Sequence, residues 1–143
     1  MGTVLVTGAA GFIANRVARD LAAKHKVVAI DNVNDYYDVR LKEHRIEALD
    51  GIEFNRIDIE NKAAMQPLFE ENQFDAVVNL AARAGVRYSM ENPHVYMTTN
   101  AHGSLNLLEL MREFDVKKYV LASTSSLYAC LLYTSDAADE WLR

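Results

Sequence analysis

Short apolar runs alternate along the chain with longer segments in which apolar residues recur every three or four positions. The apolar runs are rich in β-branched residues, which is typical of strands that are buried on both faces. These runs predict five strands, at residues 3–7, 27–30, 52–57, 76–80 and 119–123.

The segments between the runs predict helices. Ile13, Val17 and Leu21 are spaced by four and form one stripe of a helix that begins near residue 12. A less regular pattern predicts a helix over residues 39–49, and Asn61 is a suitable N-cap for a third helix through residue 69.

The second half of the chain continues this alternation. Residues 81–93 are expected to form a loop, and a long helix with Leu105, Leu108 and Met111 on one face should end before Val116. Strands that alternate with helices imply parallel pairing through right-handed crossovers. We therefore predict an α/β fold, a doubly wound parallel sheet of Rossmann type with strand order 3-2-1-4-5 that stops after its fifth strand.

A glycine turn follows the first predicted strand. Gly8 is suited to a tight turn, Gly11 to a close approach of the backbone, and Ala14 to close packing of helix on sheet. This is the place where a dinucleotide fold binds a diphosphate at a helix N-terminus. The alternative is an ordinary strand–helix turn, because a pair of glycines alone is weakly specific.

Two acidic residues follow the next strands. Asp31 ends the second strand, where a carboxylate can bind the ribose hydroxyls of adenosine and repel a 2′-phosphate, which favours NAD over NADP. The alternative for Asp31 is a turn-forming role. Asp58 is suited either to the adenine amino group or to capping the third helix.

The composition excludes several classes of protein. Twenty Asp and Glu outnumber fifteen Lys and Arg, with no basic run, so binding of nucleic acid is not expected. We find no apolar stretch that could span a membrane, no signal peptide, no metal-ligand spacing and only one cysteine, Cys130. A cytoplasmic protein is therefore expected. The lack of a Gly-Lys-Ser/Thr motif argues against a P-loop NTPase.

Polar residues also follow the last two predicted strands. Arg87 is a candidate contact for an anion, although an exposed loop arginine is often only solvated. Residues 123–128 form a hydroxyl-rich cluster, which suits either a hydrogen bond to a sugar hydroxyl or simple capping of a turn.

Four segments together carry a resemblance to a known family: residues 4–14 (VLVTGAAGFIA), 30–41 (IDNVNDYYDVRL), 80–93 (LAARAGVRYSMENP) and 122–129 (ASTSSLYA). The chain resembles the N-terminal half of the extended short-chain dehydrogenase/reductases, in particular the nucleotide-sugar epimerases of glucuronate type. The resemblance implies NAD as cofactor, a UDP-sugar as substrate and a homodimer formed by the full-length enzyme.

The resemblance also implies roles for individual residues. Thr124 matches the residue that hydrogen-bonds O4 of the sugar, and Arg87, Ser125 and Ser126 are expected to contact the substrate. The positions that match cofactor contacts are Gly8, Gly11, Phe12, Ile13, Asp31, Asn32, Asp58, Ile59, Leu80, Ala81, Ala82 and Asn100.

The implied reaction is a transient oxidation at C4 of the sugar, after which the hydride returns to the other face. In the family the base is the tyrosine of a Tyr-x-x-x-Lys motif, which this chain lacks. A dehydratase or decarboxylase on the same scaffold is an alternative, although Ser125 and Ser126 stand where dehydratases have Asp-Glu. A second alternative is a non-catalytic NAD-binding module.

Several positions depart from the family pattern. Ala14 replaces the third glycine, Asn15 replaces a serine, and Arg83 replaces a glutamine. The resemblance stops after residue 129, and residues 130–143 resemble a translated sequencing adapter; the alternative is a native helix capped by Ser135. We therefore expect an incomplete NAD-binding domain at residues 1–129, a non-native tail, and no turnover by this chain.

Overall fold

The computed structural model describes residues 1–124, which contain one parallel sheet of five strands. The strands are β1 (Thr3–Thr7), β2 (Lys26–Asp31), β3 (Glu53–Arg56), β4 (Ala76–Asn79) and β5 (Lys118–Leu121). Their order is β3-β2-β1-β4-β5, and every neighbouring pair is parallel. The predicted fold and strand order are therefore confirmed.

The helices of the described residues are α1 (Phe12–Ala22), α2 (Val39–Glu47), α3 (Lys62–Glu71), α4 (Val86–Glu91), α5 (His94–Tyr96) and α6 (Ser104–Glu113). A π-helical segment, Met97–Gly103, joins α5 to α6. The prediction of a loop over residues 81–93 is wrong in part, because α4 lies within it. This helix buries none of its residues, so it lacks the apolar stripe that would reveal it in the sequence.

Helices cover both faces of the sheet and bury a separate core on each. On one face Leu5, Val28 and Val77 pack against residues of α3 and α6, such as Met65 and Leu107. On the other face, the sheet packs against α1. Two helical layers around one sheet are the defining feature of a doubly wound fold.

The buried face of α1 consists of small residues. Ala14 and Ala18 are buried, whereas the side chains of Phe12 and Ile13 are 80% and 65% exposed. The helix itself is confirmed, but the stripe that includes Ile13 does not form its main core face. Ala14 lets the helix lie close to the sheet, as expected for a small residue at this position.

The buried face of α6 also differs from the prediction. Leu107, Leu110 and Met111 are buried, whereas Leu105 and Leu108 remain 53% and 45% exposed. The predicted face is wrong for Leu105 and Leu108. They belong to a second apolar side of a helix that carries leucines all around, so periodicity alone did not separate the two sides.

Some predictions lie outside the described residues, namely those for Ser125, Ser126 and the tail at residues 130–143. Within residues 1–124, none of the helices has the length and apolar character needed to cross a bilayer.

Candidate functional site

The turn between β1 and α1 is tightly constrained at Gly8. The backbone of Gly8 has φ +73°, and a Cβ there would lie 2.9 Å from backbone atoms of Leu80 and Ala81. At Gly11 a Cβ would lie 2.8 Å from the carbonyl oxygen of Gly8, which accepts a hydrogen bond from the Gly11 N–H. Both positions therefore require glycine, one for its dihedral angle and both for space.

The N-terminus of α1 lies beside this turn and has no side-chain cap. Its N-cap residue is Gly11, and the first turn of the helix contains no acidic residue. The first N–H groups of a helix lack partners within the helix, and the helix dipole makes this end positive. An anionic group is therefore the ligand that fits the end of α1.

Asp31 ties the end of β2 to the glycine turn. It is 9% exposed, and its two carboxylate oxygens accept hydrogen bonds from the backbone N–H groups of Ala10 at 3.1 Å and Val33 at 2.7 Å. The turn-forming role considered for Asp31 is therefore present. Each oxygen has a second lone pair, so the same carboxylate can also accept a bond from a ligand.

A polar pair supports the neighbouring end of β3. The side-chain amide of Asn32 donates to one oxygen of Asp58 at 2.7 Å, and the Glu60 N–H donates to the other at 2.9 Å. Asp58 does not cap α3, because that role belongs to Asn61, whose side chain accepts from the Ala64 N–H. Asn32 and Asp58 are thus held together at the edge of the sheet.

Lys42 is a buried cation at this site that the sequence pattern did not indicate. Its ammonium group donates to the backbone and side-chain oxygens of Asn34 at 2.7 and 3.0 Å and lies 4.8 Å from the centre of the Tyr37 ring. Burial lowers the pKa of Lys42, and the nearby Asp31 carboxylate opposes this shift. Through these bonds to Asn34, Lys42 holds the loop that follows β2 in place.

A buried network fixes the ends of β1 and β4. The Thr7 hydroxyl donates to the Asn79 side chain at 2.6 Å and accepts from the N–H groups of Leu80 and Ala81. Asn79 also donates to the hydroxyls of Ser104 and Tyr119. These contacts hold the backbone of residues 80–81 against Gly8, although no motif had marked Thr7 or Asn79.

The π-helical segment positions the loop after β4. Asn100 accepts from the Arg83 N–H at 2.7 Å and donates to the Arg83 carbonyl oxygen at 3.0 Å. Thr99, in the same segment, is buried and bonds to the Glu60 side chain. π-Helical geometry is rare and is found mainly at functional sites.

These elements surround a first cavity at the carboxyl edge of the sheet. It is lined in part by predicted cofactor residues, namely Gly8, Gly11, Asp31, Asn32, Asp58, Ile59, Leu80, Ala81 and Ala82. Lys42, Thr99 and Arg83 also line it. The side chains of Phe12 and Ile13 point outward and are exposed, so only their backbone faces the turn.

A second cavity lies beside the first, between the loop after β4 and the end of β5. It contains Asn100 and Thr124 together with Ser104 and Tyr96. Arg87 is exposed on α4 and lies outside the lining of both cavities. The structure therefore brings Thr124 to the cavity edge but leaves Arg87 apart from it.

The comparison with protein families gives one extended match. The profile of the NAD dependent epimerase/dehydratase family matches residues 4–139. The UDP-glucuronate 4-epimerase of Thermodesulfobacterium geofontis is 54% identical over 133 residues, which cover 90% of this chain and 41% of that protein. A probable UDP-glucuronate 4-epimerase of Rhizobium meliloti is 43% identical and is covered to 42%.

Solved structures show the same architecture. The UDP-glucose 4-epimerase of Thermus thermophilus, in complex with NAD, aligns with a TM-score of 0.74 and 36% identity over 85% of this chain and 37% of that chain. A UDP-glucose 4-epimerase of Bifidobacterium longum, in complex with NAD+ and UDP, aligns with a TM-score of 0.77 at 29% identity, covering 94% of this chain and 41% of that one. The chain thus spans about two fifths of the length of these relatives.

Proposed function

The chain belongs to the NAD dependent epimerase/dehydratase family, and from that premise we propose that it is the NAD-binding part of a nucleotide-sugar 4-epimerase. The full-length enzyme would interconvert UDP-glucuronate and UDP-galacturonate. Relatives that carry the name UDP-glucuronate 4-epimerase support this choice of sugar.

The observation that carries the proposal is the first cavity. Gly8 and Gly11 leave the space that a Cβ would fill, and the uncapped N-terminus of α1 opens beside it. These features suit the diphosphate of NAD, while the carboxylate of Asp31 suits the hydroxyls of its adenosine ribose. The residues present therefore fit the cofactor of the family.

Bound NAD would supply a hydride acceptor for C4 of the sugar. Thr124, at the edge of the second cavity, would hydrogen-bond the O4 hydroxyl and so hold C4 of the sugar in position for hydride transfer. The Ser125 and Ser126 hydroxyls are proposed as further substrate contacts. Arg87 is proposed as a contact at the outer edge of the substrate, since it is exposed on α4 outside the lining of both cavities. No tyrosine of the chain has a lysine four residues later, so the proposal includes no proton-abstracting base from this chain.

Two measurements test this proposal. Calorimetry of the 143-residue chain with NAD should give a single site, and the same sample should show no interconversion of the two UDP-sugars. A folded chain that takes up no NAD would contradict the proposed binding, and turnover would contradict the proposed inactivity. Product analysis of the full-length gene would separate an epimerase from a dehydratase or decarboxylase, because only the latter two release water or carbon dioxide.

The exposed side of α6 supports a proposed homodimer of the full-length enzyme. Leu105 and Leu108 are about half exposed on adjacent turns of this helix, and Met97 of the π-helical segment is 65% exposed. Complete burial of a fully exposed side chain of this size contributes roughly 1.5–3 kcal/mol, so burying the exposed half of each leucine contributes about half of that. Light scattering of full-length Leu105→Glu and Leu108→Glu variants should show monomers where the parent enzyme is dimeric, and unchanged dimers would exclude this face.

A further inference from the structure

Two cavities at the carboxyl edge of the sheet share one wall, formed by residues 81–83. The first cavity contains Gly8 and Asp31, and the second contains Thr124. A dinucleotide with its adenosine beside Asp31 and its second nucleoside beside Thr124 would pass this wall with its diphosphate. The side chains of the wall therefore face the most highly charged part of such a ligand.

Arg83 is the charged residue of this wall. Its Nε is buried, and residues 1–124 provide neither a hydrogen-bond acceptor nor an ion-pair partner for its guanidinium group. A buried charged donor without an acceptor is unfavourable, so an acceptor from a ligand would improve its environment. Among the described residues, no hydrogen bond or ion pair of the Arg83 guanidinium would have to be broken.

The position of Arg83 is fixed before any ligand binds. Asn100 holds both peptide groups of Arg83, through bonds of 2.7 and 3.0 Å. The guanidinium carbon lies 5.6 Å from the centre of the Tyr36 ring, which is a cation–π distance. The hydroxyl of Tyr36 donates to the carbonyl oxygen of Ala84 at 2.6 Å, which anchors the ring on the same loop.

Within residues 1–124, the nearby carboxylates form no ion pair with Arg83. Asp31 accepts two backbone N–H bonds, and Asp58 accepts one from Asn32 and one from a backbone N–H. Lys42 adds a second positive charge to the lining of the first cavity. With the N-terminus of α1 close by, these groups make the wall an attractive site for an anion.

We propose that Arg83 binds the diphosphate of the dinucleotide where it passes from the first cavity to the second. A guanidinium group donates two parallel hydrogen bonds to a phosphate, which suits a ligand whose charge is spread over several oxygens. This inference rests on the proposed binding of NAD and adds to it a side-chain contact that the glycine turn does not supply.

The test compares three ligands of the 143-residue chain. NAD and ADP both carry the diphosphate, whereas adenosine lacks it. In Arg83→Gln, the affinities for NAD and ADP should fall about 10- to 100-fold, as expected for loss of a charge-assisted contact, while the affinity for adenosine stays the same. The salt dependence of NAD binding should also become weaker, because one charge has been removed.

Two further variants serve as controls. Arg83→Lys keeps the charge but not the planar fork, so it should restore part of the affinity for NAD. Arg112→Gln removes an exposed arginine of α6 that pairs with Glu109 and lines neither cavity, so its NAD affinity should equal that of the wild type. Thermal unfolding of each variant checks that the fold is retained.

The outcomes separate this inference from the proposed function. If the folded wild-type chain binds no NAD, both are wrong. If the wild type binds NAD, and Arg83→Gln binds NAD and ADP as tightly as the wild type does, only the role of Arg83 is wrong. A parallel loss of affinity for adenosine would show that Arg83 shapes the cavity as a whole and would also overturn the proposed diphosphate contact.

Discussion

The carboxylate of Asp31 accepts a hydrogen bond from the Ala10 N–H at 3.1 Å, which joins the end of β2 to the glycine turn. Replacement by alanine removes this bond, the bond from Val33 and the proposed ribose contact together. We expect Asp31→Ala to lower the free energy of unfolding by about 1–3 kcal/mol, because it leaves buried N–H groups without acceptors.

The same variant also tests the choice of cofactor. Its affinity for NAD should fall at least about tenfold, and the ratio of NAD to NADP affinity should fall with it, because the charge that repels a 2′-phosphate is gone. Calorimetry with both cofactors measures this. Asp50→Ala, at an exposed position away from the cavities, provides the control. An unchanged ratio in Asp31→Ala would contradict the ribose assignment.

Gly8 and Gly51 form a matched pair for testing the close approach at the turn. Both have φ +73°, but a Cβ at Gly51 would have no atom within 4 Å, whereas at Gly8 it would collide with Leu80 and Ala81. Gly51→Ala should cost about 1 kcal/mol for its backbone conformation alone. Gly8→Ala should cost about 2–4 kcal/mol in urea unfolding and abolish NAD binding. Equal costs would mean that the backbone at residues 80–81 moves aside.

The buried hydroxyl of Thr7 can be removed with little change of shape. Thr7→Val leaves the Leu80 and Ala81 N–H groups and the Asn79 side chain without this partner. We expect a loss of about 1–3 kcal/mol in the free energy of unfolding. Thr3→Val makes the same change at the other end of β1, at a less buried position, and should alter stability by less than about 0.5 kcal/mol. Similar values for both variants would contradict the role of the network.

Asn100 is predicted to act on the cofactor through Arg83. Asn100→Ala removes both bonds to the Arg83 peptide groups, and the residue itself is exposed, so stability should change little. Affinity for NAD should fall about 3- to 10-fold, because Arg83 is no longer held in place. In the Arg83→Gln background the same change should have almost no further effect on binding. Additive losses would indicate that Asn100 contacts the cofactor directly.

The sheet and the turn were predictable because local features determine them. The β-branched runs in β1 and β2 are too short and too apolar for surface helices, and Gly8 and Gly11 occur where a strand meets a helix. The spacing of Asp31 after Gly11 then placed both at the same edge of a parallel sheet. These conclusions need only neighbouring residues and the handedness of crossovers.

The remaining features of the site depend on contacts between distant parts of the chain. Lys42 belongs to a helix whose sequence is mostly polar, yet it is only 4% exposed. It is buried because the loop after β2 folds over it. The bonds of Thr99 to Glu60 and of Asn100 to Arg83 join segments that are far apart in the sequence. The hydrophobic periodicity of a sequence contains no information about such pairings. The π-helical geometry at Met97–Gly103 and the burial of the Arg83 Nε are therefore visible only in the structure.

β5 forms one border of the sheet and hydrogen-bonds only to β4 among the strands of residues 1–124. Its outward backbone amides and carbonyls, next to the half-exposed Val120 and Leu121, can accept a strand from a neighbouring molecule. The purified chain should therefore self-associate more strongly as its concentration rises. We expect the assemblies to be rich in β-structure and to form by strand pairing at β5. Dilute storage, or a charged residue in place of Val120, should preserve monodisperse samples for the ligand titrations.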